Sequence, residues 1–165
     1  MATVLPVPIE FELPDGWHAA PPDEAGAPGA AFVAVHPDTR QAGFTPNITI
    51  SGEYRADQAA LAELADESVG RLGQAAQDVT VADRTEIDSL DAPGLTQVVL
   101  MRHDSGDTVR DLVQCQVYLS MTDVHDRSRR AVLQLAMTAT TEQLDDVIGD
   151  FQQFVASVRP EPRQP

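Results

Sequence analysis

The residues with the widest chemical use in this 165-residue chain are four histidines and one cysteine. His18, His36, His103 and His125 show neither His-x-His nor His-x-x-x-His spacing, which would place two imidazoles on one metal ion. The oxygen-rich Asp-x-Asp-x-Asp-Gly pattern of calcium loops is also missing from the sequence. We therefore predict no metal site and no cofactor.

Motifs that hold a nucleophile or a phosphate are not found in the sequence either. There is no Gly-x-Ser-x-Gly elbow, no Gly-x-Gly-x-x-Gly turn and no P-loop. Cys115 alternates with Val113 and Val117 on the apolar side of a predicted strand, which favours an inert core thiol. We predict that the chain is not an enzyme, and a hydrolase that uses His125 and Asp126 stays as an alternative.

The densest run of charge contains three arginines within four positions. Arg127, Arg129 and Arg130 follow the acidic Asp123 and Asp126 in a predicted hairpin loop. Guanidinium groups at this density bind anions or carboxylates well. The loop is therefore a candidate anion-contacting site, and the simpler alternative is a solvated turn.

A second candidate surface is neutral and polar. Three neighbouring predicted strands carry glutamine or tyrosine on the side opposite their apolar residues: Gln97, Gln114, Gln116, Tyr118 and Gln134. A weakly charged sheet face that bears a tyrosine suits protein contact. We predict a partner surface at these residues, and the alternative is that a helix covers part of this face, as the mixed alternation over 98–101 indicates. Trp17, the only tryptophan, is expected at the core edge beside the first turn, with an exposed contact in the partner surface as the alternative.

The elements that position these residues follow from hydrophobic periodicity. Alternating or short apolar segments predict strands at 8–13, 31–35, 46–52, 78–90, 95–103, 111–121 and 131–138. Asp57 is a good N-cap and Gly73 a good stop for a first helix, and Thr140 and Gln143 form a capping box for a second. The order predicts an α+β domain at 8–160 with two main helices on a mostly antiparallel sheet, between a flexible arm at 1–7 and a polar tail at 161–165.

The charge balance is strongly acidic. The chain has 26 acidic residues against 11 basic ones, all arginine, for a net charge of −15. Such a surface repels phosphate backbones and anionic lipids, so we predict neither nucleic-acid nor membrane binding. The first residues lack the basic and apolar segments of a signal peptide, which predicts a cytoplasmic protein, or a secreted or lipid-anchored one if the native start was removed.

Three segments carry a resemblance to a known family: Phe11 to Trp17, Asn47 to Ile50 and Phe151 to Pro160. With the order of elements over 8–160, they resemble the actinobacterial LpqN/LpqT lipoproteins and, more distantly, the PsbP-like superfamily. The arginine-only, Ala-rich composition resembles that of GC-rich actinobacteria. The resemblance implies a PsbP-like α+β fold, no shared catalytic residues and a role in protein binding or assembly. The lipid-bearing cysteine near the start of LpqN-type proteins has no counterpart here.

These observations predict a non-enzymatic protein-binding or assembly module. Its partner is expected to be another protein or a second copy of the chain. The main alternative is a carrier of a small apolar ligand in a cleft between the sheet and the last helix, lined by Phe44, Phe151 and Phe154.

Overall fold

The computed structural model describes residues 9–21, 30–39, 44–55, 60–87, 94–104, 106, 108–122 and 130–160. The strands are β1 (Ile9–Glu10), β2 (His18–Ala20), β3 (Phe32–Val35), β4 (Asn47–Arg55), β5 (Gln77–Ile87), β6 (Gly94–Asp104), β7 (Val109–Thr122), β8 (Arg130–Thr140) and β9 (Arg159–Pro160). The helices are α1 (Leu61–Ala75) and α2 (Leu144–Ser157). Pro37–Thr39 form a short 3-10 turn.

Seven of these strands make one antiparallel sheet in the order β2-β3-β4-β8-β7-β6-β5. The register places Gln116 of β7 opposite Gln97 of β6 and opposite Ala136 of β8. Because side chains alternate along a strand, this register brings the predicted polar face of β6, β7 and β8 to one side of the sheet. The predicted α+β fold with a mostly antiparallel sheet and two helices is confirmed.

Helix α2 covers the apolar side of the sheet. Its Val147, Phe151 and Phe154 are buried in a cluster with residues of β4, β7 and β8, which include Ile48 and Leu135. This stripe follows the helical spacing seen in the sequence, and it stabilises the domain mainly by apolar burial.

The predicted capping box before α2 is also confirmed. The Thr140 backbone N–H donates to Gln143 Oε1 at 2.9 Å, and the Gln143 N–H donates to Thr140 Oγ1 at 3.2 Å. The same glutamine donates through Nε2 to the carbonyls of Thr39 and Phe44, both at 2.9 Å. Gln143 therefore fixes the start of α2 and the segment before β4 together.

Helix α1 lies on the opposite side, against β5, β6 and β7. Leu61, Leu64 and Ala65 form a small buried cluster with Leu95 and with residues of β7 and β8. The helix begins at Leu61 with Ala60 as its N-cap and ends at Ala75. The predicted N-cap at Asp57 and stop at Gly73 are therefore wrong.

The first strand differs from its prediction. In place of a strand over 8–13, β1 holds Ile9 and Glu10, which pair with β9 and not with the main sheet. Arg159 of β9 forms an ion pair with Glu10. The two ends of the domain therefore lie together beside α2.

The turn after β1 depends on one glycine. Gly16 has φ +89°, and a Cβ built there would lie 2.6 Å from His36 Nε2. Only glycine fits this combination of left-handed backbone and close approach.

Candidate functional site

The predicted partner surface is covered by α1 and is not exposed. Gln97 and Gln116 are 1% exposed and Tyr118 is 3% exposed, while Gln114 and Gln134 are half-buried. The alternative of a helix on this face is therefore correct, and Gln97, Gln116 and Tyr118 are not available as a partner surface. The alternation of β6 and β7 showed which side chains share a face, but it did not show how much of that face a helix covers.

The buried glutamines form a connected hydrogen-bond network. Gln97 Nε2 donates to Gln116 Oε1 at 2.6 Å, and Tyr118 Oη donates to the same oxygen at 3.0 Å. Gln116 Nε2 donates to Gln114 Oε1 at 2.5 Å and to Ser68 Oγ of α1 at 3.2 Å. Both polar atoms of the Gln116 side chain, Oε1 and Nε2, thus have hydrogen-bond partners, which offsets the cost of burying them.

The network is anchored to α1 at both of its ends. On the β5 side, Arg84 donates to Gln97 Oε1 through Nε at 3.0 Å and Nη2 at 2.8 Å, and its Nη1 lies 2.9 Å from Asp66 Oδ1. On the β8 side, Gln134 Nε2 donates to Ser68 Oγ at 3.4 Å. Helix α1 is therefore held by specific polar bonds in addition to its few apolar contacts.

An open groove runs between α1 and β4 next to this network. Its volume is about 220 Å³, and the described residues that line it are Ser51, Gly52, Glu53, Leu64, Glu67, Arg71, Tyr118, Val132 and Gln134. The walls come from β4 and α1, and the floor comes from β7, β8 and Leu64 of α1. Among the described residues, α1 packs over β5, β6 and β7, and the groove lies on the β4 side of the helix.

The floor and the rim of the groove differ in polarity. Leu64, Tyr118 and Val132 are buried, whereas Glu53, Glu67 and Arg71 are exposed. Burial raises the pKa of the Tyr118 phenol, against the opposing effects of the Ser68 hydroxyl and of nearby arginines. The phenol is therefore neutral at physiological pH and serves the floor as a ring and a hydrogen-bond donor, not as a base.

Sequence reasoning missed most of the groove. Leu64, Glu67 and Arg71 share one side of α1 because they are three and seven positions apart. That spacing is visible in the sequence, but the distance from α1 to Ser51 and Glu53 depends on tertiary packing.

The candidate anion-contacting loop lies largely outside the described residues. Arg127 and Arg129 are not described, and Arg130 is the half-buried first residue of β8. The role assigned to the three arginines stays a prediction. His125 and Asp126, the residues of the hydrolase alternative, also lie outside the described residues.

Trp17 is 5% exposed, which agrees with the expected position at the core edge and contradicts the alternative of an exposed contact. Its indole Nε1 donates to Asp150 Oδ2 of α2 at 3.0 Å, and its ring lies 5.0 Å from the His36 ring, centroid to centroid. Trp17 therefore joins the first turn to α2 and to the segment after β3.

The remaining reactive residues in the described part of the chain are Cys115 and three histidines. Cys115 is buried, and burial raises the pKa of its thiol. His18 and His103 are exposed on separate strands, and His36 Nδ1 lies 2.7 Å from Thr39 Oγ1. Among the described residues, no group of three or more His, Cys, Asp or Glu side chains is arranged to hold a metal ion.

The residues of the apolar-carrier alternative are used in packing. Phe151 and Phe154 are buried, with ring centroids 6.4 Å apart. Phe44 is half-buried and its carbonyl accepts from Gln143.

Across the described part of the chain, neither helix is both long and apolar enough to cross a membrane.

Comparisons with known proteins identify the fold. No protein-family profile and no curated protein sequence matches the chain. Among solved structures, LpqN of Mycobacterium tuberculosis, described as involved in cell envelope biogenesis, superposes with a TM-score of 0.66 at 13% identity, over 95% of this chain and 86% of that one.

Two further structures share the fold. Cyanobacterial PsbP from Synechocystis sp. PCC 6803 matches with a TM-score of 0.59 at 16% identity, over 93% of this chain and 86% of that one. The Ran-binding protein Mog1p of Saccharomyces cerevisiae matches with a TM-score of 0.56 at 13% identity, over 92% and 89% of the two chains. The resemblance predicted from the sequence is therefore confirmed for the fold: this chain has the α+β fold of LpqN and PsbP.

Proposed function

We propose that this protein is a non-catalytic protein-binding module that docks a basic partner in the groove between α1 and β4. The observation that carries the proposal is the groove itself, an open cleft with a buried floor of Leu64, Tyr118 and Val132 and two carboxylates on its rim. Buried apolar floors with polar rims are typical of protein-contact sites.

The charge of the whole chain supports a basic partner. A net charge of −15 attracts a positively charged protein and repels nucleic acid and anionic membranes. Binding to a protein also agrees with the description of Mog1p, a structure of the same fold, as Ran-binding. A cytoplasmic location, as expected from the sequence, is part of the proposal.

The proposal is tested by filling the groove without changing the rest of the surface. Ser51 lines the groove from β4, so Ser51→Tyr places a large ring in it. Thr85→Tyr puts the same ring on the exposed surface of β5 and serves as the matched control. Each variant is first checked for an unchanged unfolding midpoint.

The two variants and the wild type are then used to capture proteins from an extract of the source organism. We expect one stoichiometric protein that Ser51→Tyr loses and Thr85→Tyr retains. Equal retention by both variants would contradict docking in the groove.

A further inference from the structure

The two helices are held on the sheet by unequal apolar contacts. Three side chains of α2, two of them aromatic, are buried in the main apolar cluster: Val147, Phe151 and Phe154. The buried residues of α1 include no aromatic side chain and all lie in its first half: Leu61, Leu64, Ala65 and Ser68. Because apolar burial is the main source of the energy that holds a helix on a sheet, α1 is the more weakly held of the two.

The sheet surface under α1 is polar. Gln97 and Gln116 are buried there, and Gln116 Nε2 donates to Ser68 Oγ of the helix at 3.2 Å. Gln134 Nε2 donates to the same hydroxyl at 3.4 Å, and Gln97 Nε2 donates to the Ala65 carbonyl at 3.5 Å. When the helix leaves, these groups exchange their partners for water, so each bond resists the separation only weakly. A floor of amides is hydrated at lower cost than an apolar floor.

The ion pair between α1 and β5 adds little to this attachment. Asp66 Oδ1 of the helix lies 2.9 Å from Arg84 Nη1, and the Asp66 side chain is 69% exposed. Solvent screens such a pair, and its contribution to stability is small. The ion pair therefore does not make up for the few apolar contacts of α1.

Helix α1 also has little tendency to persist away from the sheet. It has 15 residues, and Gly70 and Gly73 lie in its largely exposed second half. A helix of about this length is marginal in water even when it is rich in alanine, and each glycine lowers its stability further. Separation of α1 from the sheet is therefore coupled to unwinding.

From these observations we propose that α1 is a lid, which leaves the sheet and unwinds while α2 and the sheet stay folded. The closed lid is one wall of the groove between α1 and β4, so the groove exists only while α1 is docked. The consequence for binding rests on the proposed function. A partner seated in the groove binds only the closed form and so holds the lid closed. Occupancy of the groove is thereby converted into the order of α1.

The test is native-state hydrogen exchange of the full, isotope-labelled chain, followed by NMR at low urea concentrations. We expect the backbone amides of α1 to exchange through an opening that is at least about tenfold more populated than global unfolding. The side-chain amide of Gln116 should lose its protection in the same step. Exchange of α1 only by global unfolding, with the urea dependence of the most protected amides, would overturn the lid.

Three glycines provide matched variants, since a Cβ built at Gly70, Gly73 or Gly149 meets no atom within 4 Å. Alanine at either α1 position should lower the population of the open lid by about two- to fivefold, because it favours the docked helix over the unwound segment. Gly149 lies in α2, which stays folded when the lid opens. Gly149→Ala should therefore slow the most protected amides and leave the exchange of α1 unchanged. Equal slowing of α1 by Gly149→Ala would show that α1 opens only with the whole molecule.

The lid and the groove fail separately. The exchange is measured on the chain alone, so retention of the captured protein by Ser51→Tyr contradicts docking in the groove and leaves the lid standing. If that protein is captured through the groove, adding it must slow the exchange of α1. A partner bound in the groove that leaves the exchange of α1 unchanged would overturn the coupling between the lid and the groove.

Discussion

Gln116 is the residue on which the buried polar network depends most. Its side chain joins Gln97, Gln114 and Tyr118 to Ser68 of α1. A core apolar residue at this position would leave several buried groups without partners, and each such group costs about 1–3 kcal/mol. The glutamines therefore specify where α1 lies as well as contributing to stability.

A double-mutant cycle tests this dependence. We expect Gln116→Leu and Gln97→Leu each to lower the free energy of unfolding by about 2 kcal/mol, because each strands the partner amide. The double variant should cost at least about 1 kcal/mol less than the sum of the two, since both members of one hydrogen bond are then gone. Urea unfolding measures all three values, and simple additivity would show that the network is not coupled.

Two buried acids make stability sensitive to alkaline pH. Burial raises the pKa of the Cys115 thiol and of the Tyr118 phenol in the folded protein. Above the ordinary values, about 8.5 for a thiol and 10 for a phenol, the unfolded chain releases these protons while the folded chain retains them. The folded state then binds more protons, so stability is complete below these values and falls as the pH rises.

The corresponding prediction is a decrease in the unfolding midpoint from pH 8 to pH 11. Cys115→Ala should remove the part of the decrease that begins near pH 8.5, and Tyr118→Phe the part that begins near pH 10. Thermal unfolding over this pH range provides the measurement. An unchanged pH profile in both variants would rule out the two groups as its cause.

At the scale of elements, helix α1 contains two glycines that lower its stability and that no neighbouring atom requires. Gly70 and Gly73 lie within the helix, and a Cβ built at either position meets no atom within 4 Å. Glycine in a helix interior costs about 0.5–1 kcal/mol relative to alanine.

Alanine at these two positions should therefore stabilise the protein. We expect Gly70→Ala and Gly73→Ala each to raise the free energy of unfolding by about 0.5–1 kcal/mol in urea titrations. Gly16→Ala is the control of opposite sign, because its φ of +89° and the 2.6 Å approach to His36 exclude a methyl group. Destabilisation by the helix variants would mean that the glycines serve a contact of α1.

The elements were largely predictable from sequence, and their mutual placement was not. Period-two alternation identified β7 and β8 and the faces of their side chains, and the Thr140–Gln143 pattern identified the start of α2. These signals are local. The start of α1 was missed because Asp57 is a good N-cap by type, whereas the first helical residue is Leu61 and its cap position is Ala60, with no side-chain cap bond.

The candidate site was missed for a related reason. Gln97, Gln114 and Gln116 were correctly grouped on one face, but the alternation along the strands does not show that α1 lies on that face. The groove appears only when Ser51 and Glu53 of β4 and Glu67 of α1 are placed across from each other. That juxtaposition is a property of the tertiary structure and leaves no periodic signal in the sequence.

On the scale of the whole molecule, the net charge and the groove both favour the proposed basic partner. The chain has a net charge of −15, and the groove between α1 and β4 has a buried floor and the carboxylates of Glu53 and Glu67 at its rim. Association driven by this charge should weaken as salt screens it, while contact with the groove floor should persist. A partner held by both should dissociate more easily, but not completely, at high salt.

The most direct test of the account is the retention of one partner by the wild type, Ser51→Tyr and Thr85→Tyr chains, compared at low and high salt. The account predicts that Ser51→Tyr loses the partner at both salt concentrations, whereas the wild type and Thr85→Tyr retain the same stoichiometric amount at low salt. Retention of that partner by Ser51→Tyr at the wild-type level would contradict the groove between α1 and β4 as the docking site.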